Sequence, residues 1–66
     1  MDFESIKSAI RFAHDSHLVS RLVRRDSRME AEAQADSYAL GMATAFELAG
    51  LLTAEEAENI LLGMND

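Results

Sequence analysis

A chain of 66 residues with 12 acidic and 6 basic side chains, net charge −6, has room for one small domain and little else. Lack of cysteine excludes disulfides and thiolate zinc sites, and a hydrophobic content of 48% excludes an intrinsically disordered tail. A single core below about 70 residues rarely yields more than about 3–5 kcal/mol, so self-association or a partner is the expected source of further stability.

Residues 1–10 carry Asp2, Glu4 and Lys7, which is not the apolar pattern of a secretory leader, and the longest uncharged run, Ser37 to Phe46, is half of what a spanning helix needs. A cytoplasmic domain without membrane contact is the expectation. Absence of proline, only three glycines, and many Ala, Leu, Glu, Arg and Met residues predict an all-α fold, an antiparallel bundle of three to four helices over 1–66.

Phe3, Ile6, Ala9, Ile10 and Ala13 recur at helical spacing and predict a first helix over 3–14. Leu18, Val19, Leu22 and Val23 form a second stripe, rotated by roughly 150° from the first at about 100° per residue. That rotation predicts a break near His14 to His17, capped by Asp15 or Ser16, and a second helix over 16–25. An unbroken helix is the alternative.

A turn is expected near Asp26, because Ser27 and Glu30 have capping-box spacing and Arg21, Arg24 and Arg25 stand where a preceding helix would end. The next helix is predicted over 28–49, with Ala31, Ala35, Tyr38, Ala39, Met42, Ala45, Phe46 and Ala49 facing the core. Gly50 supplies a left-handed C′ position, and Thr53 and Glu56 form a second capping box in which Leu52 staples against Ala57. The segment from Gly50 to Leu61 thus reads as a turn followed by a capped helix. This last helix, over 54–63, is expected to bury Ala57, Ile60, Leu61 and Met64.

Charge divides along the chain. Residues 1–28 hold all six cations against four acids, and residues 29–66 hold eight acids and no cation. Such a dipolar chain favours head-to-tail or antiparallel association with itself, and its acidic half repels nucleic acid and anionic lipid. The sharpest candidate site is Arg21, Arg24, Arg25 and Arg28, at i, i+3, i+4, i+7, with His14 and His17 roughly in line if the helix continues. Guanidinium groups there suit carboxylate or phosphate recognition, so an acidic partner surface or an anionic nucleotide is a candidate ligand. Helix-dipole complementation, pairing with Glu30, Glu32 and Asp36 across the turn, and plain solubility compete with that reading.

Phe12, Met29, Leu40 and Leu62 fall off the expected core faces and are candidates for an oligomer interface, with a dimer favoured. The predicted third helix is apolar on both sides, the pattern of a helix sandwiched between neighbours. His14 and His17 lack a third ligand at metal-site spacing, and both are expected on the surface or at a cap. The adjacent Asp15, Ser16 and His17 cannot face one another as a triad, and no glycine-rich phosphate loop or distinctive carboxylate pair is present. Neither a catalytic role nor a cofactor is expected.

A helix-turn-helix would offer DNA a second helix opening with Glu30, Glu32 and Asp36, which electrostatics disfavours. The expected function is a small acidic protein-interaction module that docks on a larger protein and inhibits or modulates it. By analogy of class alone, phage-encoded inhibitors of host defence share this size, charge and helicity. An oligomeric nucleotide-binding sponge or sensor using the Arg residues, and a structural assembly subunit, are the alternatives.

Overall fold

The computed structural model describes residues 2–64, folded as three helices: α1 (Phe3–Val23), α2 (Arg28–Leu48) and α3 (Ala54–Gly63). Among the described residues no strand is present and no helix is long and apolar enough to cross a membrane.

Helix ends follow local chemistry. Asp2 caps α1 by accepting from the Ser5 backbone N–H at 2.8 Å, and Ser27 caps α2 by accepting from that of Glu30 at 3.1 Å. The complete reciprocal box forms at α3, where the Glu56 N–H donates to Thr53 Oγ1 at 3.1 Å and the Thr53 N–H donates to Glu56 Oε1 at 2.9 Å. At the far end of α2, Gly50 has φ 79°, with Gly50 N–H donating to Glu47 O and Leu51 N–H to Phe46 O, the Schellman pair. The end of α1 repeats the same pair with Arg25 at φ 67° in the glycine position.

The expected break near Asp15 and Ser16 does not occur, and the helix expected over 16–25 is the second half of α1. The stripe facing α2 runs through Phe3, Ile6, Ile10, His14, His17 and Arg21, so it continues in register while its chemistry turns from apolar to polar. Apolar Val19 and Val23, which suggested a rotated core face, point away from the bundle and are exposed.

On α2 the buried line is Ala31, Ala35, Ala39 and Ala43, one residue every four. Side chains of one methyl group each form a shallow groove that suits close helix approach. Tyr38, Ala45 and Ala49, expected inside, are exposed; the seam runs through Ala43 instead, because the alanine line allows the closest approach.

Core and length divide the molecule into two halves. Ile6, Ile10, Ala39, Ala43, Leu52, Ala57 and Ile60 form one apolar cluster where all three helices meet, with Leu52 and Ala57 both in it as the staple requires. Helix α3 has 10 residues against 21 in each of the others, so it covers only part of the hairpin. Beyond it, among the described residues, α1 and α2 pack chiefly on each other, with Met64 reaching the level of His14, and their buried contributions are His14, Ala31 and Ala35. The radius of gyration of 12.0 Å and the 36 Å long axis reflect that uneven coverage, against about 11 Å for a spherical domain of this length.

Candidate functional site

At the boundary between the two halves sits His14, 6% exposed, with each ring nitrogen against a carboxylate. Nδ1 lies 2.9 Å from Asp15 Oδ1 and Nε2 lies 2.9 Å from Asp36 Oδ1. An ionised carboxylate only accepts hydrogen bonds, and a neutral imidazole has only one N–H, so filling both bonds takes the imidazolium. Burial pulls the His14 pKa down, but the hydrogen bonds its ring donates to Asp15 and Asp36 and their charges outweigh it, and the net displacement is upward from 6.5. Arg11 Nε approaches Asp15 at 3.9 Å, so charges alternate Arg11, Asp15, His14, Asp36 from α1 across to α2.

This corrects two expectations. His14 is an interior residue and not a surface or capping histidine, and Asp15 is its partner. His17 does not join it: its ring stacks on Tyr38 with centroids 5.0 Å apart and planes 21° from parallel. Among the described residues no group of three His, Asp or Glu side chains converges to hold a metal ion. Asp36 and Tyr38 were invisible as partners of the histidines because they lie on another helix. The spacing 3, 6, 10, 14, 17, 21 in α1 was the available signal, had polar residues been admitted to the seam.

The four arginines are not collected on one helical line, since α1 ends at Val23 and Arg25 turns left-handed. Arg21 Nε lies 2.8 Å from Asp26 Oδ2, both largely buried, in an ion-pair contact whose angle is poor for a hydrogen bond. Arg28 donates from Nε to Glu32 Oε1 at 3.0 Å on the surface. Arg24 and Arg25 are exposed at the hairpin tip.

A second feature lies between α2 and α3, an open groove of about 440 Å³. Ala39, Ala43 and Ala57 make its floor, Leu40, Leu61 and Leu62 its walls, and Asp36, Glu47 and Glu58 line it with no cation among them. Leu40 and Leu62 are exposed at 55% and 62%, so this groove brings together two of the four residues expected at an interface. Met29 is exposed on the same side of α2 as Leu40, eleven residues away and beyond α3, whereas Phe12 is exposed on the outer face of α1.

Comparison with known protein families, curated proteins and solved structures found no match to this chain.

Proposed function

We propose that this chain is a small cytoplasmic protein-interaction module that docks on a larger protein through the α2–α3 groove and modulates it, inhibition being the favoured form. The observation that supports this reading is an apolar groove whose charged lining residues are all carboxylates and which the described residues leave open. Such a groove suits an amphipathic helix whose apolar residues seat between Leu40 and Leu62 and whose Lys or Arg residues reach Glu47 and Glu58. With eight acids and no cation in residues 29–66, long-range attraction also favours a basic partner surface. Inhibition of a host-defence machine by a phage-encoded protein is one role of this kind. Binding of an anionic nucleotide is the lesser reading, because it draws on Arg24 and Arg25 at the hairpin tip without a shared helical line.

Photo-crosslinking in cells that make the protein naturally tests the docking reading. A photoreactive phenylalanine analogue at Leu40 is expected to give an adduct heavier than a 7.3 kDa chain joined to its own copy. Leu62→Glu should reduce that adduct at least about tenfold, or about 1.4 kcal/mol, and Glu47→Lys should reduce it in a salt-dependent way. An adduct indifferent to both substitutions, or a self-adduct alone, overturns it.

A further inference from the structure

The outer face of α1 belongs neither to the core nor to the groove. Ser5, Ser8, Phe12, Ser16, Val19 and Val23 follow one helical line opposite Ile6, Ile10 and His14, and no charged residue falls on it. Phe12 is 74% exposed and Val23 76%. A shallow hollow flanks Phe12 on each side, one formed with Ser5, Ser8 and Ala9 and edged by Asp2 and Glu4, the other formed with Ser16, Val19 and Ser20 and edged by Asp15. One face therefore carries both a projection and the recesses to receive it, the requirement for a surface that pairs with itself about a two-fold axis.

We propose that α1 pairs antiparallel with α1 of a second copy of this chain through this face of serine, valine and phenylalanine residues centred on Phe12. Size decides the direction. The amino-terminal half of the line holds serines and the carboxy-terminal half holds valines, so antiparallel pairing sets Val19 and Val23 of each copy over Ser8 and Ser5 of the other, whereas parallel pairing stacks valine on valine. Charge agrees. Arg11 and Asp15, already paired within their own helix at 3.9 Å, with Arg11 Nη1 also donating to Gly63 O at 3.4 Å, lie on the same flank of the line, and an antiparallel two-fold near the level of Ala13 sets this pair beside its copy with opposite charges at each level. It also lays the cationic tip of each copy, Arg24 and Arg25, toward Asp2 and Glu4 of the other. Parallel pairing instead sets both cationic tips side by side. One helix face per copy is small for an interface, below about 1,200 Å² in total, so the dimer is a weak one that forms in the micromolar range. It leaves the α2–α3 groove open and is independent of the docking reading.

Sedimentation velocity from about 5 to 500 µM tests this. The native chain is expected to shift with concentration from 7.3 kDa toward twice that mass. Phe12→Glu should stay monomeric throughout while keeping its helical circular dichroism and its unfolding transition. Arg25→Glu and Glu4→Arg, exposed positions outside the His14 cluster, should each weaken self-association severalfold, and an equimolar mixture of the two should restore it, because both reciprocal contacts are then of opposite sign. Leu62→Glu should leave the dimer unchanged. A native chain that stays monomeric, a Phe12→Glu variant that still dimerises, failure of the mixture to restore association, or dissociation by Leu62→Glu overturns the proposal. The crosslink at Leu40 reads the groove separately, so either proposal can fail without the other.

Discussion

His14 is where one residue ties local chemistry to global stability. Its position on the buried line of α1 would suit a leucine, and its two carboxylate partners compensate the cost of burying a charge there. The groups facing it are Asp15 on its own helix and Asp36 across the hairpin, with Arg11, Arg28 and Glu32 around them. Because its folded pKa is raised, the stabilisation is fully present below the unfolded value near 6.5 and is lost as pH rises through the folded value. Denaturant midpoints are therefore expected to fall as pH rises from about 6.5 into the mildly alkaline range. Asp36→Asn should lower the His14 titration seen by proton NMR, flatten that pH dependence and cost about 1 kcal/mol, a modest loss because Asp36 is half exposed. A titration of His14 at or below 6.5 in the native chain contradicts the clamp.

Helix ends, at the scale of elements, show the same hydrogen-bond pattern solved with different residues. After α2 the left-handed C′ position is Gly50, and after α1 it is Arg25. A side chain with a Cβ carries about 1–2 kcal/mol of strain there, which glycine avoids at some cost in unfolded-state entropy. Arg25→Gly is thus expected to stabilise the chain by about 0.5–1 kcal/mol and Gly50→Ala to destabilise it by about 1 kcal/mol, both read from urea midpoints. Open space around a Cβ at Gly50 makes the second change a test of backbone conformation alone. Equal midpoints for all three chains would contradict the assigned turn geometry.

Uneven coverage governs the whole molecule. The end closed by α3 holds the apolar cluster, including Ile6, Ile10 and Ile60, whereas the hairpin tip relies on alanines, His14 and the Arg21–Asp26 ion pair. Apolar area removed from water is the main favourable term in folding, so the tip is the less stable part. Amides of residues 16–22 and 32–36 should exchange with solvent faster than those of residues 7–11 and 40–46, by a ratio that narrows as denaturant is added, because opening the core exposes more surface. Uniform protection along α1 would show that the hairpin opens only with the whole chain. If α1 also pairs with a second copy, protection at the tip should rise with protein concentration.

The all-α class, the start of α2 at Ser27, the glycine turn at Gly50 and the boxed start of α3 were legible in the sequence. Caps and turns are satisfied within three or four residues, so the information for them is local. The continuity of α1 was not, because a helix keeps its backbone bonds whatever chemistry its buried line carries, and His14 and Arg21 stay in line only through Asp36 and Asp26. Nor was the rotation of α2, whose apolar residues on several sides leave periodicity ambiguous until α1 and α3 select the alanine line and leave Tyr38 to His17. Local hydrogen-bonding decided where each helix begins and ends; which face is buried, and thus which charges meet and which apolar surface stays open, depended on neighbours distant in the chain.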